Sequence, residues 1–382
     1  MTRLGLTYGA MFTTLTMVMS CVEPYDPPYS DRDINLLVVD GFLDSGSKNA
    51  TVKLSYAMPL DTNTTYNPVQ QATVSVERED GLVIPLPEIS SGLYAVSSDQ
   101  IVTGKKFKLR VFNASKEYIS DEVELRASPT LDSVTWRADG RGVTIYVDSH
   151  DEANSTRYYQ WIYTETWEYT ANKYSVVRFI KETAEVVPRT AAEMVYICYG
   201  SQTSTRVLIT TTSSNTLDVV NDFALAFIPA GDYRLARLYS IEVEQRALDE
   251  QAYTYWLNLQ KTTENLGGLF DPLPSEVTGN MHNPKDNSEK VLGYFSGGEI
   301  RKKRIFIYRG DLPPKLQVFP TSECAEQEIP VAKLRDYRGS DLYLIEPRGM
   351  PVPVLYTSAA GVCVDCTLRG GVTKPPSFWP PR

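Results

Sequence analysis

The sequence predicts a mainly β chain: an N-terminal Ig-like antiparallel sandwich, then a larger β-rich domain carrying one amphipathic helix. Three observations predict it. Between residues 35 and 128, apolar residues recur at every second position in short runs separated by Gly, Asn, Asp and Pro. Similar runs resume after Pro129 and continue through most of the remaining chain. One stretch, near 249–265, changes to helical spacing.

The first unit is read from its alternation. Ala72, Val74 and Val76 alternate with Thr73, Ser75 and Glu77. Phe107, Leu109 and Val111 alternate with Lys106, Lys108 and Arg110, and Val123, Leu125 and Ala127 with Glu122, Glu124 and Arg126. With runs at 36–43, 51–57, 82–86 and 92–96, these make a sandwich of about 95 residues, closed by Pro129. The second unit, 129–382, reads as strands at 133–137, 143–147, 158–169, 194–199, 206–211, 224–228 and 233–244. Asp249 then caps a helix whose stripe is Ala252, Tyr255, Trp256, Leu259 and Thr263, stopped before Gly267-Gly268. Strands return at 291–295, 305–308 and 342–345, and the tail 374–382 is rich in Pro and aromatic residues.

Arg3, an uncharged stretch over 4–20 and Val18-Met19-Ser20-Cys21 read as a lipoprotein signal peptide, residues 1–20, cleaved before Cys21. The Cys21 sulfur would take a diacylglyceryl group and the freed amine a further acyl chain such as palmitate. Each buried lipid methylene contributes about 0.8 kcal/mol, so several chains together hold a protein stably where one is marginal. Residues 21–34, with Pro24, Pro27, Pro28 and several acids, form an extended tether. The chain is therefore expected to be exported and to act at a membrane surface.

A net charge of −9 leaves no electrostatic footprint for nucleic acid. The one basic run, Arg301-Lys302-Lys303-Arg304, reads as a solvated strand end. Only two histidines are present, His150 and His282, which removes much of the usual acid–base and metal-ligand repertoire. Ser149-His150-Asp151-Glu152 holds triad residue types, but neighbours along a turn are not a triad. No nucleophile elbow, zinc-protease pair or phosphate-binding loop occurs. The expectation is a binding protein, not an enzyme, with no cofactor or metal, although two acids placed across a cleft would suit a glycosidase.

Cys198, Cys324, Cys363 and Cys366 should form two disulfides in an oxidising compartment. Two of the three pairings pin the C-terminal segment to both Cys198 and Cys324, and long loops favour pinning over a local Cys363–Cys366 bond. A redox pair or a zinc site is the competing reading; Asp365 between the thiols and the lack of a helical flank speak against the redox pair. Tyr159, Trp161, Tyr163, Trp167 and Tyr169 recur at even spacing on one strand face, with Glu165 among them. They form either an aromatic platform for a sugar ring or partner protein, or the core face of a sandwich sheet. Glu165 favours partial exposure.

Several stretches together resemble the Bacteroidota outer-membrane lipoproteins catalogued as domain of unknown function 4249. They are Cys21, Val38-Val39-Asp40-Gly41-Phe42, Cys198-Tyr199, Asn265, Gly268-Leu269-Phe270-Asp271, Gly279-Asn280 and Leu292-Gly293-Tyr294-Phe295. The C-terminal Cys363-x-x-Cys366-x-Leu368-Arg369-Gly370-Gly371, Lys374-Pro375 and Phe378-Trp379 complete the likeness, which spans essentially the mature chain. The resemblance implies a surface-exposed accessory protein tethered to the outer membrane, working with a TonB-dependent β-barrel receptor. It implies no catalytic residues. The rival expectation is a glycan-binding or glycan-degrading surface lipoprotein with Trp161 and Trp167 as its platform.

Overall fold

The computed structural model describes residues 36–58, 66–264, 277–317 and 324–381. The signal segment, Cys21, the tether to residue 34, and Asn265 with Gly268 to Asp271 lie outside the described residues.

The chain is mainly β and builds two sandwiches. In the first, one sheet runs in the spatial order Val291–Gly298, Leu37–Asp44, Asn49–Tyr56, Leu93–Ser97, Glu88–Ser90. The facing sheet runs Met281–His282, Lys116–Ser120, Lys106–Asn113, Thr73–Arg78, Val83–Leu86, with Val123–Glu124 also paired to Lys106–Asn113. Alternation explains the packing: Phe107, Leu109 and Val111 point inward with Val74 and Val76, against Val39, Leu43, Val52 and Leu54 of the other sheet.

The division at 128 is corrected. Val291–Gly298 returns from the distal half of the chain and pairs in parallel with Leu37–Asp44, while Met281–His282 pairs with Lys116–Ser120. The first sandwich is therefore finished by residues assigned above to the second unit. Gly293 lies opposite Val39 at φ +90°, and a Cβ there would come within 1.9 Å of the Val39 carbonyl oxygen. Only glycine fits that turn of backbone against backbone. Asn280 clamps the same strand, its Nδ2 donating to Phe295 O at 2.8 Å and its Oδ1 accepting from Phe295 N at 2.9 Å. Val38–Phe42, Gly279-Asn280 and Leu292–Phe295, scattered in sequence, thus form one joint.

The second sandwich packs a sheet of Leu131–Asp139, Gly142–His150 and Val219–Pro229 against a sheet ordered Ile197–Thr203, Tyr158–Thr170, Leu238–Leu248, Ile300–Tyr308. Leu208–Thr211 pairs with the far end of Tyr158–Thr170. The basic run lies inside Ile300–Tyr308, not beside it, and its side chains answer acids on the neighbouring strand: Lys302 Nζ is 2.5 Å from Glu244 and Arg304 2.7 Å from Glu242. The expected helix forms over Glu250–Thr263, with the Asp249 side chain accepting from Ala252 N at 2.7 Å. Its apolar stripe meets Val207, Ile209 and Tyr294, so it wedges between the two sandwiches. A small sheet of Gln327–Pro330, Leu355–Ser358 and Leu344–Arg348 packs beside the hairpin Val177–Ile180/Glu185–Pro188 around Val177, Ile329, Leu334 and Leu344.

Candidate functional site

Strand Tyr158–Thr170 organises the second sandwich, and its two faces have different roles. Tyr159, Trp161, Trp167 and Tyr169 point inward and are at most 7 % exposed; Tyr163 is half-buried against the same cluster. The platform reading is corrected: these rings are the core face. Trp161 stacks on Phe223 at 4.7 Å and donates to Gln245 Oε1 at 3.1 Å, and Tyr159 donates to Asp218 at 2.9 Å. Both Trp161 and Trp167 are sealed from any glycan. Trp167 lies flat over Gly200 on the paired strand, where a Cβ would come within 2.5 Å of its ring.

Glu165 is buried too, contrary to the partial exposure expected of it, because its charge is matched inside. Arg234 donates to both of its oxygens at 2.9 Å, and the Tyr239 hydroxyl donates to it at 2.6 Å. Arg234 also spans Asp232. Burial, then the Glu165 charge, hold the Tyr239 phenol well above its ordinary value near 10, so it remains a donor.

The turn after residue 148 assembles no triad. Ser149 Oγ donates to the Thr130 carbonyl at 2.9 Å, whereas His150 Nδ1 sits 2.7 Å from Asp132, whose hydrogen bond and charge raise the imidazole value. Asp151 instead ties down its own loop. Burial works against its ionisation, but N–H groups of Thr156, Ser155 and Ala153 and the Ser155 hydroxyl outweigh it, bringing the carboxyl to about 2. The folded value lies below the ordinary 3.8, so this stabilisation is complete above about pH 4 and fades as pH falls toward 2. Thermal melts at about pH 5 and about pH 2.5 should therefore differ less in Asp151→Ala than in the parent.

The outer face of the same sheet carries the candidate site. Tyr199, Glu168, Leu238 and Tyr308 lie side by side on successive strands. The C-terminal tail crosses them. Trp379 is 8 % exposed, packs edge-on against Tyr199 at 5.3 Å and near Phe306 at 5.9 Å, and donates its indole N–H to Glu168 at 3.1 Å. Arg237 donates to the other Glu168 oxygen at 2.6 Å, and Arg304 lies 3.5 Å over the Phe378 ring.

Two disulfides hold this tail. Cys198 pairs with Cys366 and Cys324 with Cys363, which is one of the two pinning arrangements. Cys363 lies on a one-turn helix, Gly361–Val364, so the absence of a helical flank is corrected; its bond to Cys324 leaves no Cys363–Cys366 redox pair. Beyond Gly370, at φ +84°, Val372 exchanges both backbone hydrogen bonds with Tyr199.

Trp379, Pro380 and Pro381 form a ridge with a cleft on each side. One, of about 680 Å³, is lined by Tyr174, Tyr196, Tyr199 and Lys374 among others. The other, of about 420 Å³, is lined by Glu168, Arg237, Tyr308 and Arg309. In the sequence, Lys374-Pro375 and Phe378-Trp379 stand out only as points of the family likeness, because a Pro-rich, aromatic terminus does not reveal which strand it covers.

A family model described as a domain of unknown function (DUF4249) matches residues 22–304. The chain belongs to this family. The matched region of this DUF4249 chain includes the joint at Gly293 and the strand Tyr158–Thr170, and ends within Ile300–Tyr308. The disulfide-pinned tail lies outside it, so the likeness is shown over a shorter span than the motifs suggested. No curated protein matches. Among solved structures, the chain is similar to the FN1-FN3 domains of chicken CNTN1, with 14% identity, 55% of this chain and 60% of that one covered, and a TM-score of 0.18. So loose a superposition adds nothing to the strand pairing described above.

Proposed function

We propose that this protein is exported, lipidated at Cys21 and held on the outer membrane of a Bacteroidota cell, facing outward. There it serves as the binding or accessory partner of a TonB-dependent β-barrel receptor and performs no catalysis. The observation that carries the reading is Cys21 itself, directly after Ser20 at the end of an uncharged segment preceded by Arg3. Two disulfides support an oxidising compartment. Binding without catalysis is supported by the clefts: among the described residues their one lining carboxylate, Glu168, already accepts from Trp379 and Arg237.

Mass spectrometry of the mature protein should find Cys21 N-terminal and acylated, and mild detergent extraction should bring down an outer-membrane β-barrel with it. An unmodified Cys21 would remove the anchor. Acylated protein that never co-purifies with a barrel would remove the partnership and leave the anchor standing.

A further inference from the structure

We propose that the hairpin tip over residues 349–354 dips into the surface of the lipid bilayer and so sets how the folded body stands on it. The inference rests on the membrane anchoring proposed above but not on the receptor.

Exposure is the first argument. Met350, Val352 and Val354 are 95%, 70% and 65% exposed, the three highest values among the large apolar side chains of the described residues. They share one turn, between the paired strands Leu344–Arg348 and Leu355–Ser358. Val331, 40% exposed, adjoins them, its N–H donating to Val354 O at 3.1 Å. No charged residue occurs from Gly349 to Tyr356. Single exposed apolar side chains are ordinary, whereas a cluster of them on one turn marks a surface that is covered in use.

The turn is built in advance. Arg348 and Leu355 pair across its base, and Val354 N donates back to Arg348 O at 2.9 Å. Gly349 sits at φ +101°, where other residues would be strained, and a Cβ there would press on Val354 at 3.0 Å. The sheet beneath packs round Ile329, Leu334 and Leu344. An apolar turn already ordered in this way has little entropy left to lose on insertion.

Two features favour lipid over a pocket on a protein. Pro351 and Pro353 have no N–H, and that of Val354 is taken, so three of the five residues 350–354 bring no free donor into a medium that offers it no partner. Protein hot spots favour Trp, Tyr and Arg and seldom use Val, and this tip holds only Val, Met, Pro and Gly. The bilayer is also close at hand. Residues 21–35 separate Cys21 from the first described residue, a length that spans at most about 50 Å. A few aliphatic side chains bind a membrane weakly by themselves, but beside an anchor they need only orient what the lipid already holds. A net charge of −9 draws the body to no anionic headgroup, so the contact is apolar and should resist salt.

The test uses the mature chain carrying Cys21→Ser, which has no lipid of its own, with vesicles of phosphatidylcholine. Sedimentation should show a weak partition into the vesicles that persists at high salt and falls at least about tenfold in Val352→Asp. Leu217→Asp, at a side chain 62% exposed beside strand Val219–Pro229, is the control and should partition as the parent does. Both side chains are exposed, so folding should survive. Met350→Trp gives a second readout: lipid brominated on its acyl chains should quench part of the emission of that variant and none of the parent's. No partition, partition lost at high salt, equal loss in Leu217→Asp, no loss in Val352→Asp, or unquenched emission in Met350→Trp would each overturn the proposal. So would loss of barrel co-purification in Val352→Asp without any vesicle binding, which would give the tip a protein partner instead. Acylation of Cys21 is read separately by mass spectrometry, so the anchor and the tip can fall independently.

Discussion

Replacing Cys198 and Cys366 together by alanine should lower unfolding stability by about 5 kcal/mol. The bond closes a loop with a sequence separation of 168, against 39 for Cys324–Cys363. In the chain-entropy model the benefit grows only with the logarithm of loop length, so the second bond is worth about 4 kcal/mol on the same scale. The first should still dominate, for a structural reason. Both of its cysteines are fully buried, Cys366 O accepts the Tyr169 hydroxyl, and Cys198 precedes the Tyr199 that Trp379 covers. Losing it frees the root of the tail as well as the unfolded chain. Urea unfolding of the Cys198→Ala/Cys366→Ala protein should show a lowered midpoint, and fluorescence should report Trp379 becoming wet before the two sandwiches unfold. An unfolding free energy within about 1 kcal/mol of the parent's would mean that packing, not the covalent pin, holds the tail.

What could be read without coordinates was whatever depends on near neighbours. Val74 and Val76, or Phe107, Leu109 and Val111, alternate because one face of each strand is dry, and the Asp249 cap sits three residues before the amide it satisfies. What was hidden depends on residues far apart in the chain. The pairing of Val291–Gly298 with Leu37–Asp44 closes a very long loop, and nothing local to Gly293 reports that it faces the Val39 carbonyl. The faces of Tyr158–Thr170 show the same limit from another side. A period of two says that Trp161 and Trp167 share a face, not whether that face is covered. Glu165 pointed the wrong way because Arg234, which makes its burial tolerable, lies 69 residues later. Glu168 meets Trp379 across 211 residues, and the candidate site depends on that contact. Sequence spacing left two pinned disulfide pairings open; only the positions of the strands separate them.

The buried charge beside the inner rings should produce the second large effect. Arg234→Met should destabilise the protein by about 3–5 kcal/mol, since it leaves Glu165 and Asp232 facing each other without the cation between them. Methionine keeps much of the stem volume, so the loss would report charge more than packing. A double-mutant cycle separates the two. Glu165→Gln alone removes an acceptor that Arg234 and Tyr239 both use, but adding it to Arg234→Met removes an uncompensated charge, so the double variant should be more stable than Arg234→Met alone. Simple additivity of the two losses would show that the pair is not coupled. Tyr239 offers an independent check. Its folded value lies above its ordinary one near 10, so its contribution is present below that pH and is lost as pH rises through the folded value. Glu165→Gln removes the charge that, after burial, lifts this phenol, so the alkaline loss of stability should shift in that variant, and it should not shift in Glu244→Gln on the outer face of the same sheet.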